Sequence, residues 1–337
     1  MIQEAIRLVA EGHRLSCEEA AAAMREIMDG EATAVQIAGL LAALRVRGET
    51  VEELTGFAGV MREKCVHITP QRPDLVDTCG TGGDRLKTFN ISTIAAFVAA
   101  GAGVAIAKHG NRSVTSLCGG ADLLEALGVN LAPPPEVVEA CIDEIGIGFL
   151  FAPAFHPAMK HAAPVRRELG IRTVFNLLGP LTNPAGARSQ VLGVFAAEWV
   201  EPLARVLCSL GSKRAFVVHG MEGLDEISTV GETRIAEVAG GDVSSYTLRP
   251  EEVGLERAQP EALAGAAAEA SARVALAILK GERGARRDIV LLNAAAAIMA
   301  GGRAATLKEG MAAAEESIDT GAAFEKLEAL RARTATP

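Results

Sequence analysis

LVDTCGTGGDRLKTFNISTIAAFVAAGAG, residues 75–103, decides how this chain is read. LVDT is a short strand, GTGG places three glycines in four residues, and STIAAFVAAGAG is a helix. Glycines this dense let backbone approach a ligand closely or adopt φ > 0. Asn90, Ser92 and Thr93 follow where the helix starts, and a helix start is a natural anion site. Two familiar phosphate motifs fail here. A dinucleotide fingerprint needs glycine where Arg85 stands, and a Walker loop needs GK[ST] after four residues.

Working outward, VAIA (104–107) is a second strand that delivers KHGNRSVTS (108–116), and LLEALG is a helix ending on Gly128. Further strands are expected at IGFLF, VLGVF and RAFVVHG, with a hairpin about Gly240 and Gly241. Alanine-rich helix follows from Pro260. Strands alternating with helices indicate an α/β architecture with a mostly parallel central sheet. The first 65 residues differ. Ser16 precedes Glu19, Thr33 precedes Gln36 and Thr50 precedes Glu53, each a capping-box spacing, with Gly30 and Gly48 as stops. This region is a small all-helical domain, and PQRP (70–73) is its linker to the larger α/β domain.

Composition bounds the chemistry. The 337 residues are 49% hydrophobic and 22% charged, which supports a large buried core. The apolar run 91–107 is broken by Gly101 and Gly103, short of a membrane span of about 20 residues. The N-terminal MIQEAIRLVAEGHR has no apolar signal core, so a cytoplasmic protein is expected. A net charge of −9 and only 4% aromatic residues argue against nucleic acid as a partner. The six cysteines form no CxxC pair, and they are expected to be small buried hydrophobes, with Cys79 and Cys118 the exceptions to watch because both lie inside polar motifs.

Three segments carry candidate chemistry beside the glycine loop. KHGNR concentrates Lys108, His109, Asn111 and Arg112 at a strand end, where ligands bind in open α/β sheets. HGMEGLDEIS (219–228) sets Asp225 and Glu226 side by side after another strand. Two such acids plus phosphate oxygens are what Mg²⁺ takes. HPAMKHAAPVRRELG (156–170) puts His156, Lys160, His161 and Arg166 on a helix; Arg166 is the candidate for a carboxylate, and most of the others are expected at the surface. No nucleophile elbow or Ser-His-Asp set appears. Displacement of diphosphate from a sugar carbon fits, because it needs no protein nucleophile.

Taken in order, GTGGD (80–84), NIST (90–93), KHGNR (108–112), GADLLEALG (120–128), FAPAFHPAMKHA (151–162), VFNLLGPLTNPA (174–185) and GLDEIS (223–228) resemble the anthranilate phosphoribosyltransferase family. The resemblance implies transfer of the phosphoribosyl group of phosphoribosyl diphosphate (PRPP) to anthranilate, in tryptophan biosynthesis. It implies a helical domain over 1–70, completed by about 164–185, and a PRPP-binding α/β domain over 71–337. Members commonly pair as homodimers through the helical domain. By carry-over Gly80, Gly83, Asp84, Thr88, Asn90, Ile91, Ser92 and Thr93 hold PRPP. So do Lys108, His109, Gly110, Asn111, Arg112, Ser113, Val114, Thr115, Ser116 and Gly120. Gly80, Asn111 and Arg166 contact anthranilate, and Ser92, Asp225 and Glu226 hold Mg²⁺, two ions per site. LCGG (117–120) departs from the common Lys-Ser-Gly-Ser, so no hydroxyl is available at position 120. A nucleic-acid-binding paralogue would carry a basic surface, a nucleoside phosphorylase a different glycine loop, and a PRPP sensor no acceptor site.

Overall fold

The computed structural model describes residues 1–83, 86–113 and 117–335. Asp84, Val114, Thr115 and Ser116 lie outside them. Four helices open the chain: α1 (Ile2–Ala10), α2 (Cys17–Met28), α3 (Ala34–Arg47) and α4 (Val51–Glu63). All three expected capping boxes form, at Ser16–Glu19, Thr33–Gln36 and Thr50–Glu53. Each satisfies two helix-end groups and is worth about 1 kcal/mol. Glu53 does more than cap. Its fully buried carboxylate also accepts from the Leu15 backbone (2.8 Å) and pairs with Arg47, which ties three helices together.

The sheet follows: β1 (Val76–Gly80), α5 (Ile91–Gly101), β2 (Ile106–Gly110), α6 (Gly120–Ala126), α7 (Pro135–Ile145) and β3 (Ile147–Phe151). The short helices α8 (Ala152–Phe155), α9 (Ala163–Leu169) and α10 (Phe175–Leu178) then lead into β4 (Ser189–Gly193), α11 (Val200–Ser209), β5 (Arg214–Gly220), β6 (Thr233–Ala239) and β7 (Asp242–Leu248). α12 (Ala268–Leu279), α13 (Ala285–Ala300), α14 (Leu307–Asp319) and α15 (Ala322–Thr334) complete the chain. The seven strands run in the order β3-β2-β1-β4-β5-β6-β7. β1 to β5 are parallel, and the β6–β7 hairpin turns at Gly240–Gly241 in antiparallel register. The protein is therefore a small helical N-terminal domain joined to a larger α/β domain.

Two apolar layers sandwich the sheet. One contains α5, α6 and the C-terminal helices packed on Val76, Ile106, Val191 and Phe216. The other runs from α1–α4 through Ala162, Val165 and Phe175 to α11 and the opposite sheet face, at Leu192 and Val217. The alternation of strand side chains between faces explains why neighbours such as Val191 and Leu192 join different layers. β1 has β2 on one side and β4 on the other. The chain order thus reverses at β1, and ligands in open α/β sheets bind beyond the carboxyl ends of strands at such a point. Those ends lie at Gly80, Gly110 and Gly193.

Three expectations need correction. The second strand starts at Ile106 and ends at Gly110, so Lys108 and His109 are strand residues and not a following loop. HPAMKHAAPVRRELG is not one helix: Pro157–His161 is a 3-10 turn, and α9 begins at Ala163. Cys17 is exposed at the start of α2 and Cys208 is half-buried, whereas Cys65 and Cys141 are buried as expected, and Cys79 and Cys118 are buried too.

Candidate active site

β5 ends at Gly220, whose N–H donates to Leu224 O (2.8 Å) in a tight turn that presents Asp225 and Glu226. The ends of β1 and β4 make room for them. A Cβ on Gly193 would overlap the Asp225 carbonyl, and one on Gly80 would sit 3.0 Å from Asp225 Oδ2. These two glycines are required by close approach, since neither has positive φ. Asn293 of α13 secures the far side of the turn, accepting from Ile227 N and donating to Ile227 O, both at 2.9 Å. Glu226 Oε1 accepts from Ser92 N (3.0 Å) at the start of α5. That N–H was expected to be open to a phosphate; the carboxylate already occupies it. Burial first, and the Asp225 carboxylate second, push Glu226 up to about 8.

The end of β2 faces this acid pair. Lys108 and His109 are both 5% exposed. Lys108 Nζ donates to the Thr78 carbonyl and lies 3.5 Å from Thr78 Oγ1. Burial lowers its pKa, while the charges of Asp77, Cys79 and Glu226 raise it. His109 is no cation: burial and the neighbouring His156 lower it to about 3. The His109 and His156 rings stand 5.0 Å apart, and each has a buried Nε2 for which the described residues supply no partner. His156 was expected at the surface and is buried, with its own pKa lowered by burial to about 4. Gly110 has no room for a side chain, because a Cβ there would lie 2.8 Å from the Phe149 ring.

Other candidates divide. Asn90 caps α5 without a side-chain cap bond; its Nδ2 donates to Cys118 O (2.9 Å) and its Oδ1 is buried without a partner among the described residues. Ile91 and Thr93 are buried, so only their backbone is placed for a ligand. Thr88 bridges to Ala264 in a short antiparallel contact. Arg112 was expected to serve the crevice, but it is paired to Glu125 (2.7 Å) and Asp122 (3.0 Å), which raise its pKa. Ser113 N donates to Asp122 Oδ2 (3.0 Å). Arg166, on α9, lies over the Phe175 ring at 5.2 Å, and burial lowers its pKa. Sequence reasoning missed Asp77, Asn183 and Asn293. A lone Asn within LLNAAAAIM was a legible signal for the last of these. It also missed Arg172, which donates to Gly83 O (3.1 Å) and stacks on Phe195 at 4.4 Å.

Gly120 begins α6 with ordinary φ, and a Cβ there would meet Thr93 Oγ1 at 3.0 Å. On the expectation from the resemblance that position 120 lies at a PRPP phosphate, Gly120→Ser should change PRPP affinity by less than about 1.5 kcal/mol, the size of one hydrogen bond. Steady-state KM for PRPP checks this. A gain beyond tenfold would mean that the glycine leaves a phosphate contact unsatisfied.

Glycine-lined strand ends, a buried lysine and a carboxylate pair thus meet on an α/β body that carries an N-terminal helical bundle. Residues 3–65 match the glycosyl transferase family helical bundle domain, and residues 72–324 match its a/b domain. An anthranilate phosphoribosyltransferase of Symbiobacterium thermophilum is 58% identical over 97% of this chain and 96% of its own length. The crystal structure of the Thermus thermophilus enzyme is 51% identical, with a TM-score of 0.93 over 98% of this chain and 99% of that one. The Saccharomyces cerevisiae enzyme, solved in complex with PRPP and Mg, is 30% identical, with a TM-score of 0.90 over 99% of this chain and 97% of that one. The chain belongs to the anthranilate phosphoribosyltransferase family.

Proposed function

We infer that this protein transfers the phosphoribosyl group of PRPP to the amine of anthranilate, giving N-(5-phosphoribosyl)anthranilate and diphosphate in tryptophan biosynthesis. One observation carries the reading: the glycine loop, Lys108 and the Asp225–Glu226 turn converge at the sheet's switch point. Gly80, Gly83, Asp84, Thr88, Asn90 to Thr93 and Lys108 to Ser116, with Gly120, hold PRPP. Peptide N–H groups and the Lys108 ammonium supply fixed positive charge to its phosphates. Gly80, Asn111 and Arg166 hold anthranilate, with the Arg166 fork on its carboxylate. The amine attacks the ribose C1, the C–O bond to diphosphate breaks, and the amine gives up a proton as the N–C bond forms.

The donor set suits Mg²⁺. Asp225 and Glu226 are adjacent carboxylates, and among the described residues no group of three or more His, Cys, Asp or Glu is found. Mg²⁺ is usually bound through one or two carboxylates plus phosphates. Ser92, Asp225 and Glu226 would hold it, as two ions per site. A cation beside this half-buried acid pair would favour the ionised form of Glu226, which burial and Asp225 disfavour. When bound, the ion offsets negative charge that grows on the leaving diphosphate.

Residues 1–70, with about 164–185, act as one domain, and 71–337 as the other, with the site at their junction. Val165 and Phe175 pack in one apolar layer with α1–α4, which favours counting 164–185 with the helical unit, and that layer continues into α11 and the sheet. A homodimer through the helical domain is part of the reading: Val35 and Val46 are 82% and 89% exposed on one face of α3, eleven residues apart. That spacing is three helical turns. Among the described residues no helix is long and apolar enough to cross a membrane; a cytoplasmic location is part of the reading. The test is the loss of anthranilate fluorescence on adding PRPP and Mg²⁺. Signal that persists, or that falls equally in EDTA, would sink the reading.

A further inference from the structure

The parallel ladder between β1 and β2 stops after the single pair Val76–Ile106, while β1–β4 and β2–β3 each continue for five residues. A continued ladder would pair Thr78 with the Ala107 carbonyl and the His109 N–H. Side chains occupy that rung instead. Asp77 Oδ1 accepts from His109 N (3.0 Å), and Asn183 Nδ2 donates to both Ala107 O and Asp77 Oδ2, each at 2.8 Å. Lys108 Nζ takes the Thr78 carbonyl. Asp77 is 1% exposed and Asn183 6% exposed, so this polar set is built into the core. A buried carboxylate costs free energy unless it is fully hydrogen-bonded, and a simple ladder would have needed neither group.

We propose that Asp77 and Asn183 are positioning residues: they wedge β1 and β2 apart and so set the spacing between the glycine loop and the Lys108–Asn111 strand end. Both segments leave the sheet just beyond the wedge, at Gly80 and Gly110. Asn183 Oδ1 also accepts from Ala185 N (2.9 Å), and Pro184 O accepts from Ile68 N (3.3 Å). The wedge is thereby fastened to the chain that joins the helical unit to the sheet. This inference rests on the assignment of both segments to PRPP. Closing the rung would draw together two walls that grip opposite sides of one ligand. Arg166, on α9, takes no part in the wedge.

The test is steady-state kinetics of Asn183→Ala and Asp77→Asn, the second of which keeps volume but turns an amide hydrogen toward the Asn183 donor. Both are expected to raise KM for PRPP about tenfold or more, the loss of one to two buried hydrogen bonds, with KM for anthranilate moved less. Ser317→Ala, which removes a buried bond to Val98 O far from the site, is the control for stability alone. A merely structural role lowers the folded fraction, and hence apparent kcat, and leaves both KM values in place. That pattern in both variants would overturn the wedge. If Asn183→Ala fails to fold, the isosteric Asp77→Asn decides. An unmodified protein with no transferase activity would refute the functional reading and not the wedge.

Discussion

Asp225→Asn combined with Glu226→Gln is expected to lower kcat at least about 10²-fold, since two charge-assisted contacts at about 1.5 kcal/mol or more each correspond to that factor. The fold should survive. The amide oxygen introduced at position 226 can still accept from Ser92 N, the contact Glu226 makes at 3.0 Å. The sign of the stability change follows from the pKa. Burial and Asp225 hold Glu226 at about 8, above its ordinary value of 4.5. A raised carboxylate contributes stability below pH 4.5 and loses it as pH climbs toward 8. Glutamine cannot ionise, so at neutral pH the melting temperature should stay level or rise. A second readout separates metal binding from turnover. PRPP with Mg²⁺ should raise the Tm of the unmodified protein, because a ligand that binds only the native state stabilises it, and should raise that of the variant far less. Near-normal turnover at limiting Mg²⁺ would remove the pair from the site.

What the sequence disclosed, and what it hid, follows from the range of the interactions. The capping boxes were legible because Ser16, Thr33 and Thr50 find their partners three residues away. The strand, loop and helix of 75–103 were legible because apolar runs between glycines set their own limits. The extent of β2 was not. Its apolar run stops at Ala107, yet Lys108 and His109 continue the strand because they pair with Phe149 and Leu150 of β3, while Asp77 and Asn183, 32 and 76 residues away from their backbone partners, satisfy groups on the other edge. The pairing of Arg112 and the burial of His156 were hidden for the same reason: Glu125 and His109 are their neighbours only in three dimensions. Motif order recovered the family, but not the burial of these charges.

Arg166 offers the sharper test of substrate choice. Its guanidinium rests on the Phe175 ring at 5.2 Å, partly removed from water, and burial lowers its pKa. No hydrogen bond or ion pair from its side chain is found among the described residues. The ring face attracts a cation by about 0.5–2 kcal/mol, but it leaves all the guanidinium donors unused. A planar carboxylate fits that fork with two parallel bonds. Anthranilate brings such a carboxylate beside its amine. Arg166→Ala is therefore expected to raise KM for anthranilate tenfold to over a hundredfold, the equivalent of about 1.5–3 kcal/mol. KM for PRPP should change little. Arg166→Lys should recover only part of the loss, because an ammonium is a point charge without the fork. Loss of the ring contact alone would lower Tm slightly and move neither constant. If both KM values rise together, Arg166 shapes the scaffold of the cleft, and the carboxylate is held elsewhere.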